Sequence, residues 1–242
     1  MQTALKDTSA DAILCARGGY GLQRIISRVN LALLNKAPLI IGFSDITALH
    51  QLYALHNSPY TIHGLMCKHI ATLPEENYAL QLFRKALARE PLIYKLPDNT
   101  CNRTGEANGT LVGGNLSVLY GLQGTPFDLN HVIDAHPEGV ILFIEDIGER
   151  HYHIDRMMNN LRMSGVLARI KGLVVGQFTD CDNDPSMNCE TVYSTIREAV
   201  DQYNYPILFD FPAGHVLDNR PLYLNRNAHI SCSQREATLQ QS

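Results

Sequence analysis

The chain has 242 residues, 45% of them apolar and 18% charged, with a formal net charge of −4. Such a chain buries one large core or two small ones, and its mild acidity without any Lys/Arg run excludes nucleic acid and anionic membrane surfaces as partners. No apolar run reaches the ~20 residues that span a bilayer, Met1–Asp7 lacks a basic-then-apolar leader pattern, and six cysteines without CxxC spacing read as reduced thiols of a cytoplasmic protein.

Apolar runs alternate with amphipathic stretches, which predicts an α/β fold with largely parallel strands. Ala12–Ala16 reads as a buried strand, and Gly18-Gly19-Tyr20-Gly21 turns it into a helix from Leu22. Leu39–Gly42 is a second strand, with a helix over Asp45–His56 behind it. Tyr60–Ile62 is a short strand, and Glu75–Ala88 is helical by periodicity after a start at Pro74-Glu75-Glu76. The polar, turn-rich stretch Pro97–Gly105 marks a boundary, which divides the chain into 1–96, a crossover at 97–108, and 109–242. The second part opens with a strand at Gly109–Val112 and a strand-to-helix turn at Gly113-Gly114-Asn115-Leu116-Ser117. Gly139–Ile144 is an apolar strand ending in Glu145-Asp146, followed by a helix over Ile154–Leu167 and a strand at Gly172–Val175. A helix over Glu190–Gln202 precedes a short strand, Ile207–Phe209, that runs into Phe211-Pro212-Ala213-Gly214-His215.

Ile40-Ile41-Gly42-Phe43-Ser44-Asp45-Ile46-Thr47 places a serine at the apex of a strand-turn-helix. An elbow of this kind presents a hydroxyl at the C-terminal edge of a sheet, beside the N–H groups of a helix N-terminus, where an acyl intermediate can form next to an oxyanion hole. The other use of a serine there is to cap the helix. Glu145 and His215 also stand where apolar strands end, the edge at which catalytic groups gather in doubly wound sheets. Taken singly, Glu145 reads equally as a strand-end carboxylate facing water and His215 as a surface histidine. Together they answer a chemical need: a serine hydroxyl needs an imidazole to take its proton, and the imidazole needs a carboxylate to fix its tautomer. Glu149 is a rival acid, but Glu145 is preferred because the sheet sets its direction, while Asp146 supports the turn. The N–H of Asp45 points at the space beside the serine oxygen, and the second oxyanion donor comes from the Gly18-Gly19 turn, with Gly19 favoured.

Other signals carry no chemistry in this reading. Asp180–Asp184 resembles the opening of a calcium loop, but Pro185 and Thr191 stand where that loop requires Gly and Glu. His151 and His153 lack zinc spacing, and the turn after Arg17 lacks the GxGxxG of a dinucleotide site, so neither metal nor cofactor is expected. His63 has a structural or substrate-facing role.

Ala16-Arg17-Gly18-Gly19-Tyr20-Gly21, Gly42–Thr47, Gly113-Gly114-Asn115-Leu116, Ile144–Glu149 and Gly214-His215, in this order, resemble the LD-carboxypeptidase family over nearly the whole chain. The resemblance implies a Rossmann-like N-terminal part followed by a second α/β domain, a homodimer, and no metal or organic cofactor. It makes Ser44 the nucleophile, Glu145 the acid and His215 the base of a serine carboxypeptidase that releases terminal D-alanine from murein tetrapeptide in cell-wall recycling. The preference between diaminopimelate and lysine peptides is left open. A second reading within the same fold is an immunity-type hydrolase of peptide–nucleotide antibiotics related to microcin C, which the lack of Trp for base stacking disfavours. A third is a truncated, catalytically silent remnant that only binds or dimerises. Family members carry about two further βα units of roughly 30 residues before the Arg17–Gly21 turn, so the Rossmann-like part is expected to be incomplete, with an exposed strand edge. The elbow also lacks the second Gly of GxSxG, which fits this family and departs from lipases and esterases.

Overall fold

The computed structural model describes residues 1–242 except Thr8, Asn57 and Glu190; the expected start of the 190–202 helix therefore lies outside the described residues. The strands are β1 (Ala12–Leu14), β2 (Leu39–Gly42), β3 (Thr61–His63), β4 (Leu92–Pro97), β5 (Gly105–Asn115), β6 (Val140–Ile147), β7 (Gly172–Thr179), β8 (Ile207–Leu208), β9 (Leu222–Leu224), β10 (Arg226–Cys232) and β11 (Glu236–Gln241). They form a four-stranded sheet in the order β1-β2-β3-β9 and a seven-stranded sheet in the order β4-β11-β10-β5-β6-β7-β8. β1 to β3 and β5 to β8 pair in parallel, with helices between successive strands of the second group, and the mixed α/β architecture expected from the sequence is present.

Four antiparallel pairings add to this pattern: β3 with β9, β5 with β10, β10 with β11, and β11 with β4. The two sheets exchange strands: β4, from the N-terminal half of the chain, pairs in the second sheet, and β9 returns from the C-terminal part to extend the first. Two local expectations are corrected. β1 is not buried: it is the edge of its sheet, and Leu14 is 37% exposed. The helix expected from Leu22 is three short 3-10 turns, because β-branched Ile25, Ile26 and Val29 disfavour a continuous helix and Asn30 caps a fresh turn by accepting the Ala32 N–H at 3.1 Å.

The core explains how the second sheet is held. Val140–Ile144 is wholly buried because helices cover one face of β6 and the antiparallel strands and helix Tyr78–Leu87 lie towards the other. Helix His151–Met163 turns Ile154, Met157, Met158 and Leu161 inward, the spacing of one helical face. Helix starts are marked by polar caps: Asn77, Asn115, Asp128 and Thr191 each accept a first-turn N–H.

Candidate active site

Ser44 stands two residues beyond β2 at φ +66°, left-handed for a residue with a side chain. A conformation of that kind costs about 1–2 kcal/mol and persists only where packing enforces it. Buried Phe43 on one side and buried Ile46 on the other supply that packing. The cap of the following turn is Phe43, with no side-chain cap bond, so Ser44 is not used as a helix cap. Gly18 lies directly against it: a Cβ there would sit 2.9 Å from Ser44 Cβ and 3.0 Å from its Oγ.

The Gly113-Gly114 pair has a mechanical reason. Gly114 is at φ +140°, and a Cβ on it would fall 2.4 Å from Thr47 Oγ1, so only glycine lets the helix behind Ser44 seat on β5. Thr47 Oγ1 then accepts the Asn115 N–H at 2.9 Å. Asn115 is the register partner of Glu145 on β6, and the helix behind Ser44 is thereby fixed to the sheet that carries Glu145.

Glu145 is fully buried, and the pairing of β6 with β7 slips between Ile144 and Asp146, a bulge of the kind that re-aims side chains. His215 Nδ1–H donates to Glu145 Oε2 at 2.8 Å. A carboxylate can only accept, so this bond leaves Nε2 with its lone pair free to take a proton. Gly214, at φ +130°, makes the approach possible, since a Cβ there would lie 2.9 Å from Glu145 Oε2. The imidazole meets the Phe43 ring edge-on at 4.9 Å, which brings it to the residue preceding Ser44. Among the described residues no hydrogen bond joins the Ser44 hydroxyl to His215; the structure unites Glu145 with His215 directly and brings Ser44 to them through Phe43. In enzymes without bound substrate such a link is often long.

A cleft of about 290 Å³ opens beside the serine, lined by Gly19, Tyr20, Ser44, Asp45, Asn115 and Asp146 among others. The two expected oxyanion donors therefore border the same space as the hydroxyl. Asp45 Oδ2 accepts the Leu22 N–H at 3.1 Å, which ties the glycine turn to the elbow. Asp146 accepts from Asn115 Nδ2 at 2.8 Å, from the Ser117 N–H at 2.8 Å and from its neighbour Ile147 N–H at 2.9 Å, so it braces the strand-to-helix turn. Burial, with the nearby Glu145 charge, pushes its carboxyl up to about 7 against the pull of those hydrogen bonds. Glu149 is turned elsewhere, with Oε2 accepting from His153 Nδ1 at 2.5 Å one helical turn on.

Three further neighbours stand close by: His63, for which the sequence suggests a structural or substrate-facing role, and His69 and Asn219, which the sequence does not single out. His63 is fully buried between Phe43 and Phe143 (5.5 and 4.9 Å between ring centroids), and burial first, then His50 and His215, hold it well below the usual imidazole range. His69 also packs on Phe43, with ring centroids 5.2 Å apart. Asn219, in the loop after His215, is fully buried. For His69 and Asn219 the only available signal was a polar residue in a turn or short helix. Among the described residues no three His, Cys, Asp or Glu side chains are grouped to hold a metal ion. His151 is engaged with Thr195 at 2.6 Å and Asp182 with Arg150, so the acidic loop serves the fold.

An elbow serine on a cleft that Gly19 and Asp45 also line, with an imidazole oriented by a buried carboxylate against the preceding Phe43, is a set of groups suited to acyl transfer. Comparison with known proteins points the same way. Residues 1–64 match the LD-carboxypeptidase N-terminal domain and residues 108–230 the LD-carboxypeptidase C-terminal domain. The chain is 32% identical, over 97% of its length and 73% of the relative's, to a probable murein peptide carboxypeptidase of Bacillus subtilis. The crystal structure of muramoyltetrapeptide carboxypeptidase from Oxalobacter formigenes superimposes with a TM-score of 0.84 at 26% identity, covering 99% of this chain and 81% of that one. The microcin C7 self immunity protein MccF shares the fold, with a TM-score of 0.80 at 20% identity over 100% of this chain and 79% of its own.

Proposed function

The chain belongs to the LD-carboxypeptidase family, and from that premise we propose that it is a serine carboxypeptidase cleaving the L,D-peptide bond before the terminal D-alanine of a murein tetrapeptide. The observation that carries this reading is the 2.8 Å bond from His215 to buried Glu145, set beside the strained serine of the elbow.

In this reading His215 Nε2 takes the proton of Ser44 as Oγ attacks the carbonyl carbon preceding D-alanine. The N–H groups of Asp45 and Gly19 hold the oxyanion, in the cleft they line with Ser44. Collapse of the tetrahedral intermediate breaks the C–N bond, and His215 gives its proton to the departing amine. Water then repeats the sequence on the acyl-serine, with His215 again as base. Glu145 stays ionised and steadies the imidazolium that forms twice per turnover.

We further read the chain as two units, 1–96 and 109–242, joined by 97–108 and acting as a homodimer in the cytoplasm. The family resemblance motivates the dimer. Six free cysteines fit a reducing compartment, and no helix among the described residues is long and apolar enough to cross a membrane.

Incubating the purified protein with a murein tetrapeptide and quantifying free amino acid tests the activity. One D-alanine per tetrapeptide is expected; an intact tetrapeptide, or release of a different residue, rejects the proposal.

A further inference from the structure

The segment after β1 and the short helix Cys67–Ile70 are joined by two backbone bonds, Cys67 N–H to Cys15 O at 3.1 Å and Lys68 N–H to Ala16 O at 3.2 Å. They bring Lys68 to the stretch that continues into Arg17 and Gly18. Gly18 is the residue packed against Ser44, and Arg17 Nε donates to its carbonyl at 3.3 Å. His69, next along the helix, packs on Phe43, whose ring also meets His215. Three nitrogen-bearing side chains from two elements therefore gather around the elbow.

All three have donor capacity to spare. Arg17 and Lys68 are exposed, and among the described residues no ion pair engages either. His69 Nδ1 accepts the Met66 N–H at 3.4 Å, so the hydrogen of the neutral ring sits on Nε2, which is a donor. Burial first, then Lys68 and His215, hold the His69 ring below its ordinary range, which marks positive charge close by. The cleft beside Ser44 has the opposite character: Asp45 and Asp146 line it, and among the described residues no Lys or Arg does.

A peptide that loses its last residue brings a fixed negative charge to this place. Its terminal carboxylate carbon lies three bonds beyond the attacked carbonyl carbon, about 3–4 Å away by standard dimensions. An enzyme that removes only a terminal residue has to sense that charge, and a guanidinium does so well, with two parallel N–H donors in a fixed fork.

We propose that Arg17, with Lys68 and the His69 Nε2–H beside it, forms the subsite that binds the terminal carboxylate of the peptide and so restricts cleavage to the last residue. The inference rests on the reading of Ser44 as the nucleophile of a D-alanine-releasing peptidase and assigns the leaving residue's side of that site. The acyl part of the substrate is left to the acidic cleft, where a carboxylate would meet two acids.

The test compares kcat/KM for murein tetrapeptide ending in D-alanine with that for the same peptide ending in D-alaninamide, in the parent, Arg17→Gln, Arg17→Lys and Lys68→Gln. The parent should favour the free acid by about a hundredfold, the size of effect expected from a charge-assisted pair. Arg17→Gln should cut that preference by about tenfold or more, the loss falling on the acid rather than the amide. Arg17→Lys keeps the charge without the fork and should cut it by less, as should Lys68→Gln, at about threefold each. These two carry the test if Arg17→Gln folds poorly. A parent that hydrolyses acid and amide alike, or a preference intact in the folded variants, would overturn the proposal, and so would equal losses on both substrates, which mark a role in the fold alone. A parent that acts on neither peptide rejects the peptidase reading itself, a result distinct from lost discrimination between the two.

Discussion

Thr47 Oγ1 accepts the Asn115 N–H at 2.9 Å, and this bond joins the helix behind Ser44 to the strand beside Glu145. Ser44 follows a strand of one sheet and Glu145 lies in a strand of the other, so their spacing depends on such cross-links. Thr47→Val keeps the shape but strands a buried N–H. It should cost about 1–3 kcal/mol of stability by chemical unfolding. Turnover should fall as well, because the elbow loses its anchor; unchanged kcat would show that the helix is held by packing alone.

Glu145→Gln and Glu149→Gln should behave differently. Glu145 accepts from His215, while Glu149 accepts from His153 on a neighbouring turn. Neutralising the acid of a Ser-His-acid system costs a factor on the order of 10⁴ in kcat in the serine-protease template. Glu149→Gln should stay within about tenfold of the parent, since no bond links it to His215. Steady-state kinetics with both variants decides the assignment, and a reversed order would transfer the acid role to Glu149.

Much of the candidate site was legible because its three principal residues follow apolar runs: Glu145 directly after Val140–Ile144, Ser44 two residues after Ile40–Gly42, and His215 in the loop that leaves Ile207–Phe209. Parallel strands buried on both faces write themselves as such runs. The half-buried antiparallel strands do not. β10 and β11 alternate apolar residues of mixed size, Ala228, Ile230, Cys232 and then Ala237, Leu239, with polar ones, a weak period of two that passes for loop. Asn219 was illegible for another reason. Asp218-Asn219-Arg220-Pro221 has the composition of an exposed turn, and only the fold of the loop over Glu145 buries its amide. The burial expected of Ala12–Ala16 failed because apolar character cannot tell a central strand from an edge one.

Asp146 sets a pH dependence of stability. Its carboxyl is pushed up to about 7 in the folded protein, chiefly by burial and then by Glu145, whereas the unfolded chain titrates near the ordinary carboxylate value. The folded state thus binds this proton more tightly, and the resulting stabilisation is complete below about pH 4 and lost as pH rises through 7. The total is on the order of 4 kcal/mol. Asp146→Asn, which cannot ionise, lacks that slope and should gain on the parent as pH rises from about 5 to 8. The lost acceptor for the Ser117 N–H adds an offset that does not vary with pH. Urea unfolding of both proteins at the two pH values measures the difference; a gap that stays constant would mean that Asp146 does not titrate in this range.

The central claim is that Ser44 is the nucleophile, and it is tested most directly by D-alanine release from murein tetrapeptide by Ser44→Ala beside the parent enzyme, at equal folded concentration. The serine caps no helix, stands strained at φ +66° and follows the residue whose ring the oriented imidazole meets, so its removal should lower turnover by about 10³ or more while the fold persists. Release by Ser44→Ala within about tenfold of the parent rate would contradict the account, since no general-base role for the remaining groups accounts for covalent catalysis without that oxygen.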